Sequence, residues 1–511
     1  MSTKNVIYKK SGWLLSVAFL TLSLSTLSSC DDWLDVRGEN IQKEQDQYES
    51  YKGFRDALTG CYMTMGDLSI YGLKMTMTDI ENLASLWYLS TSAETQTPLK
   101  YYLTHHDYSQ TQTQTAIKSM FGGLFKTVVS ANVLMKNLEE NGANIQDNQA
   151  RDVMLGETYA IRAYCQLDVL RLFGQLPQGG SKTVKLPYSY TTSIDEIPAY
   201  FSYSDYVSNL KKDIERAESL LKDHDPISQY SFNTLNTAPS DVLDLYYYRQ
   251  SRLNYWAVRA LHARMCLYLG ETAEAHTIAL DVIKSGTVSL SGISDLQNRY
   301  NALPSECLFY LSKYNVNDYA NNYLKGNATA DSPLYAEHYM ITETMLEDLY
   351  ASIPGSTASH NRYLNEWNRV AFNNAGVPSP TLKKYYYDPS TTSANSLMTK
   401  HQIIPMLRLS ETYLIAIETS TSLEEAQELY DTYMSACAFP KELYEPFATI
   451  EEVRLEMPNE YRREFFGEGQ MFYTYKRLAA KNMLWNNDEI TEDDYIIPLP
   501  ATEYDPSLMS K

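Results

Sequence analysis

Leu253 to Ile283 carries the pattern that most limits the fold. Leu253, Ala257, Ala260, Leu261 and Tyr268 recur at helical spacing, and Gly270 closes that run. After a short turn, Ala275, Ala279, Val282 and Ile283 repeat the rule, and Gly286 closes the second run. Two amphipathic helices with small residues at their crossing make a tetratricopeptide-like hairpin, although the full repeat consensus is absent. One such hairpin cannot bury its own apolar face, so several must stack or lean on a second lobe. Met406 to Glu418 pairs with Leu423 to Cys437 in the same way: Met406, Leu409, Tyr413 and Ile417 face Ala426, Tyr430, Tyr433 and Cys437. Glu157 to Phe173 is apolar on nearly every side, with Arg162, Asp168 and Arg171 spread around it, which places it inside a large α-domain. Tyr203 to Leu221 is a more polar helix, expected at the surface.

Between these helices the texture changes. Residues 287–400 are rich in Asn, Ser, Thr, Tyr and Pro, with one short apolar run, Cys307 to Leu311, that reads as a strand. Residues 88–118 look similar and read as irregular. Loops this long are more than connectors, and long ordered loops are where function concentrates.

The N-terminus sets the compartment. Lys4, Lys9 and Lys10 precede an apolar stretch from Trp13 to Leu27, the outline of a secretory leader. Such a stretch covers about 22 Å as a helix against about 30 Å of hydrocarbon, too short for a permanent span. Leu27-Ser28-Ser29-Cys30 resembles a bacterial lipobox, which implies cleavage before Cys30 and lipidation of its thiol. The alternative is an ordinary leader cleaved nearby. Acyl chains contribute about 0.8 kcal/mol per buried CH₂, so several together tether a chain stably to a membrane.

Removing 29 of the 511 residues leaves 482, and the three Lys lost take the formal charge from −20 to −23. Such an acidic surface repels nucleic-acid phosphates and anionic lipid, which argues against both as ligands. Cys61, Cys165, Cys266, Cys307 and Cys437 are scattered, odd in number and mostly within apolar patterns; with no CxxC pair, they read as small buried hydrophobes rather than disulfides or zinc ligands. Tyr is the unusual residue, with 43 against 14 Phe and 6 Trp. Its apolar ring and polar tip suit half-wet contact surfaces.

Further motifs fall in order along the chain. Cys30-Asp31-Asp32-Trp33-Leu34-Asp35 is an acidic start. Glu157, Arg162, Ala163, Tyr164, Phe173, Gly174 and Pro177 fit E…RA-aromatic…LFG..P. Arg408, Glu411, Tyr413, Leu414 and Glu418 fit R.AE.YL..AEA, with Ser410, Ile417 and Thr419 in place of alanines. Arg462, Glu464, Phe466, Gly467, Glu468 and Gly469 loosely fit ER..E..FEG. Phe472-Tyr473-Thr474 stands where Trp-Asp-Leu is usual, followed by Lys476-Arg477. Tyr495 to Pro500 with Glu503 resembles YPIP..E. Together these resemble the SusD/RagB family of outer-membrane nutrient-binding lipoproteins of Bacteroidetes. The resemblance implies a mostly α fold, with about four tetratricopeptide-like hairpins packed against an irregular loop-rich lobe with few short strands. It implies a leader over residues 1–29, a SusD-like N-terminal region over 30–285 and a C-terminal region over 286–511, the last two forming one interlocked unit. It also implies a lid on a SusC-like TonB-dependent transporter at the cell exterior.

Arg462, Arg463, Glu464 and Glu468 invite a catalytic reading, but charges in an apolar segment are expected to form an internal ion-pair network. No nucleophile elbow, zinc helix, phosphate loop or dinucleotide turn is present, and no cofactor is called for. His105-His106-Asp107 is the one His cluster; adjacent histidines point apart, so a solvated loop is expected. Binding without catalysis fits better. Sugars need flat aromatic platforms edged by amides and carboxylates. In the family these come from the loop after the first helices and the long irregular section, which implies two groups here. One is Trp87 and Tyr88 with Asp79 and Asn82; the other is Tyr314, Asn315, Tyr319, Asn322 and Tyr323, with Trp367 and Tyr385 to Tyr387 as weaker candidates. The leading expectation is capture of an oligo- or polysaccharide. Peptide or other nutrient capture, a protein-binding adaptor and a surface hydrolase are the alternatives.

Overall fold

The computed structural model describes residues 44–504, apart from 90–97, 194, 238–243, 326–338, 370, 372–377, 391 and 394–395. Cys30, the leader and the acidic stretch lie outside the described residues. The chain divides into two units, Met1–Ser50 and Tyr51–Lys511. In the first, the described part contains a single turn of helix, Glu44–Gln47.

In the second, the helices of seven residues or more are α1 (Tyr51–Met65), α2 (Pro98–Thr104), α3 (Thr111–Asn141), α4 (Asn148–Phe173), α5 (Tyr203–His224), α6 (Tyr255–Leu269), α7 (Thr272–Lys284), α8 (Glu343–Leu349), α9 (Leu409–Thr419), α10 (Leu423–Ala436), α11 (Ile450–Glu464) and α12 (Met471–Arg477). The strands form three antiparallel pairs: β1 (Leu186–Pro187) with β2 (Tyr200–Phe201), β3 (Cys307–Ser312) with β6 (Ile403–Arg408), and β4 (Trp367–Asn368) with β5 (Thr381–Leu382). This is the helical fold with few short strands that the sequence led one to expect. No helix of the described residues is long and apolar enough to cross a membrane.

Four helix pairs, α1/α3, α4/α5, α6/α7 and α9/α10, stack in that order through α3 on α4, α5 on α6 and α7 on α9. Local sequence sets their ends. The Asp147 carboxylate accepts from the amides of Gln149 and Ala150 at 2.8 and 3.1 Å, satisfying two orphan donors at the start of α4. The Asn254 side chain accepts from Ala257 N at 3.1 Å and starts α6. Gly270 ends α6 at φ +80°, and a Cβ there would also run into Gln178.

Buried charges join helices within a pair and tie one pair to the next. Arg162 of α4 donates to both oxygens of Asp213 on α5, at 2.7 and 2.6 Å. Arg264 of α6 does the same to Glu411 on α9 at 2.6 Å and gives its remaining donors to Tyr164 Oη and the Met406 carbonyl. Glu157 of α4 accepts from Tyr62 of α1 at 2.7 Å and from Arg249, which itself holds Asp225.

Arg408, 1% exposed at the end of β6, is the largest knot. It pairs with Glu306, Glu464 and Glu468, while Lys384 reaches Glu468 at 2.6 Å and Arg362 pairs with Glu464. Burial alone would raise the Glu468 carboxyl, yet Arg408 and Lys384 hold it below its ordinary value. The expected C-terminal ion pairing is therefore present at Glu464 and Glu468, and Arg463 forms a separate buried set with Glu456 and Glu460. Arg462 instead donates to Tyr475 Oη at 3.1 Å and to Asn459.

Three sequence expectations need correction. Met406 belongs to a strand, because Ile403–Arg408 finds a partner in Cys307–Ser312, a pairing set across nearly a hundred residues. Residues 111–118, read as irregular, begin the longest helix: the Thr/Gln repeat is its polar first turns, and the apolar stripe starts at Ala116 and Ile117. Finally, α5 is polar outside but buries Tyr206, Leu210, Ile214, Ala217 and Leu221, and so forms half of a hairpin. The five scattered cysteines are free and buried, as expected.

Replacing Arg408 by Met should lower unfolding stability by about 3–5 kcal/mol, since three buried carboxylates would lose their shared cation. Denaturant titration of the variant against the native chain measures it.

Candidate functional site

The irregular section becomes a structured turn where β3 ends. Lys313 N donates to the Gln402 carbonyl at 2.7 Å, carrying the ladder one residue past Ser312. The chain then bends: Val316 N donates to Lys313 O at 3.1 Å and Asp318 N to Asn315 O at 3.0 Å, leading into the helical turns Val316–Tyr319 and Ala320–Leu324. Two side chains lock the bend. The Lys313 ammonium donates to Gly66 O at 2.6 Å, just past α1, and lies 5.5 Å from the Tyr319 ring centre. Asn315 Nδ2 donates to Tyr319 Oη at 2.6 Å. From the other side, the buried Asn317 accepts from Tyr387 N at 3.0 Å. Burial lowers the Lys313 ammonium below its ordinary value, with Asp67 opposing. Between these anchors Tyr314 stands 79% exposed, an unusual position for an aromatic ring.

The structure therefore gathers Tyr314, Asn315 and Tyr319 into one turn, with Asn322 exposed and Tyr323 half-buried on the segment that follows. The other group sits differently. Trp87 is 2% exposed, its indole N–H donates to Met77 O at 3.0 Å, and its ring meets Phe466 edge-on at 4.9 Å. That ring has no free face to offer a ligand, so its stacking role gives way to packing. Tyr88 is half-buried and its backbone N donates to Met340 O at 3.0 Å. A row of rings links the two groups: Trp87 to Tyr339 at 5.6 Å and Tyr339 to Tyr323 at 6.4 Å. Trp367, Tyr385 and Tyr387 are buried, and Tyr385 Oη donates to Gly467 O at 2.6 Å.

Asp79 and Asn82 are also buried, on the short helix Asp79–Leu83, and neither amide atom of Asn82 has a protein partner. Burial raises the Asp79 carboxyl, with Lys74 at 3.8 Å opposing. The neighbour that sequence reasoning passed over is Glu81. It is fully buried, accepts from Gly469 N at 2.6 Å, and is pushed up to about 8 by burial. Gly469 has φ +72°, and any Cβ there would strike Met75 O, so Glu81 and the family-like glycine lock together. Lys100, another residue without a sequence signal, is buried 4.9 Å from the Tyr339 ring centre, and burial lowers it to about 7. In the His cluster, His105 bonds Tyr101 O at the surface while His106 is buried against Leu83 O, so the two point apart as expected, though His106 is not solvated.

With this geometry in view, residues 317–510 match the SusD family model. The C-terminal part of the chain, residues 317–510, is thus SusD-like. A SusD-like protein of Formosa agariphila is 25% identical over 150 residues, 29% of this chain and 28% of that protein, so the match spans little more than a quarter of that relative. A SusD superfamily protein of Bacteroides thetaiotaomicron superposes with a TM-score of 0.66 at 20% identity, covering 89% of this chain and 98% of that one. A laminarin-binding SusD-like protein superposes at 0.60 with 17% identity, covering 89% and 97%. At these identities the superpositions establish the shared fold. At its Tyr314 turn the chain presents an exposed ring, a second tyrosine and side-chain amides. Those groups stack and hydrogen-bond.

Glu81 gives a pH test with a defined sign. Its folded value lies above the ordinary carboxylate value, so the folded state holds the extra proton, and its contribution is full below about pH 4.5 and lost as pH rises through about 8. Between pH 5 and 9, the native chain should lose stability relative to Glu81→Gln, as read by denaturant titration at each pH.

Proposed function

We propose that this chain is a non-enzymatic, surface-exposed glycan-binding lipoprotein that captures an oligo- or polysaccharide at the Tyr314 turn. The single observation that carries the reading is Tyr314 itself: a ring 79% exposed on a bend anchored through Lys313, Asn315 and Asn317. An exposed apolar ring face carried on a locked backbone bend suits the C–H face of a sugar, because the bend itself need not be ordered on binding. Tyr319, Asn322 and Tyr323 flank it and supply hydroxyls and amides. A laminarin-binding protein of the same fold supports the glycan class.

The wider reading follows the family. Residues 1–29 are a leader, Cys30 is the acylated N-terminus, and regions 30–285 and 286–511 form one interlocked unit. The lipid anchors that unit to the outer membrane, facing the cell exterior, where it delivers the glycan to a SusC-like TonB-dependent transporter. The Trp87 group supports this site from within: the ring row from Trp87 through Tyr339 ends at Tyr323.

Tyr314→Ala should weaken glycan binding by about 1–3 kcal/mol with folding intact, since an exposed ring has no packing role to lose. Affinity electrophoresis across a polysaccharide panel that includes laminarin identifies the ligand and then compares the variant. Unchanged retardation would remove the site from this turn, and retardation by no polysaccharide would remove the glycan reading.

A further inference from the structure

His262 and Cys266 lie one turn apart on α6, so their side chains share a face. The bend at Gly270 brings Glu274, in the first turn of α7, over the same spot. One donor atom from each of the three lies within 4.8 Å of the others, and His262 Nε2 is 3.8 Å from Glu274 Oε1. A tetrahedral zinc ion with nitrogen, sulfur and oxygen ligands separates its donors by about 3.3–3.8 Å, within reach of small side-chain rotations here.

The histidine is already oriented. Its Nδ1 lies 2.9 Å from Glu218 Oε1 on α5, which fixes the proton on Nδ1 and turns the Nε2 lone pair toward Cys266 and Glu274. Arg259, 3.3 Å from the same Glu218 oxygen, holds that carboxylate in place. A carboxylate behind a ligating imidazole is the usual support for a metal-bound histidine. His262 and Cys266 are buried, whereas the Glu274 side chain is about half exposed, which leaves a route in from solvent. Glu271 lies beside the thiol with one carboxylate oxygen held by Lys211 at 2.5 Å and the other buried without a partner.

We propose that His262, Cys266 and Glu274 form a binding site for a zinc-class divalent transition-metal ion that staples α6 to α7, with Glu218 as the positioning residue for His262. A soft sulfur with an imidazole selects zinc or cobalt over calcium or magnesium. On binding, the thiol proton is lost to solvent and the thiolate sulfur joins the metal. Because the ligand is the thiolate, binding releases a proton and affinity rises with pH. The site is independent of the Tyr314 turn.

The test uses the full chain in detergent under reducing conditions, titrated with Co²⁺. One equivalent should bind with a thiolate-to-cobalt charge-transfer band that Zn²⁺ abolishes. Cys266→Ser should remove the band. Glu274→Gln, a change at a half-exposed side chain with no folding cost, should weaken binding at least about tenfold, and Glu218→Gln by about 10-fold to 100-fold. No band from the native chain, a band that survives Cys266→Ser, or an unchanged Kd in Glu274→Gln would each overturn the proposal.

Discussion

The structure depends on one constraint: a buried charge is tolerable only if its partners are delivered to it. Arg408 shows how strictly this binds distant parts of the chain together. Its carboxylate partners come from the bend before β3 (Glu306), the end of α11 (Glu464) and the loop beyond it (Glu468). Three segments must arrive together, or the cation is left uncompensated in a low-dielectric interior. A hydrophobic contact accepts many neighbours; a guanidinium with a fixed fork of donors accepts few. The network therefore specifies one arrangement of the C-terminal segments over the hairpins, beyond whatever net stability it supplies.

The same logic recurs at smaller scale along the helical stack. Arg162–Asp213 joins the two helices of one pair, Arg264–Glu411 joins two pairs, and Arg477–Glu418 joins the closing segment to α9. Lys476 is the extreme case. Its ammonium is buried, is lowered well below its ordinary value by that burial, and donates to the carbonyls of Leu172 and Gly174 at the end of α4. Those carbonyls are the orphan acceptors of a helix C-terminus, so a cation there meets both unmet hydrogen bonds and the negative end of the helix dipole. The chain thus closes on α4, the helix whose every side is covered.

Much of this was legible in the sequence, and what was not follows from physics. Helical periodicity located α6, α7 and α10 because their apolar stripes, with closing glycines at α6 and α7, are local signals. The strand β6 was misread because Ile403 to Arg408 becomes a strand only by pairing with β3, a contact no local window contains. α3 was missed at its start because Thr111 to Thr115 is polar surface, and a polar first turn resembles a loop. The candidate rings divided for a related reason. Trp87 and Tyr314 each have Asn, Asp and Tyr nearby in sequence, yet one packs on Phe466 and the other faces solvent, a difference that only tertiary structure decides. Glu81 carried no pattern at all; its environment is made by Gly469, nearly four hundred residues away.

The way the Tyr314 turn uses Lys313 bears on ligand class. Lys313 is turned inward to the Gly66 carbonyl and the Tyr319 ring, so its charge serves the fold and is not presented beside Tyr314. The chain as a whole carries a formal charge of −20. An anionic ligand would approach against that field over a Debye length of about 8 Å, with Lys313 turned away from it. An uncharged polysaccharide meets neither obstacle, since stacking and hydroxyl hydrogen bonds ask nothing of the net charge. For the proposed site, the inward lysine and the acidic body together favour neutral glycans over acidic ones.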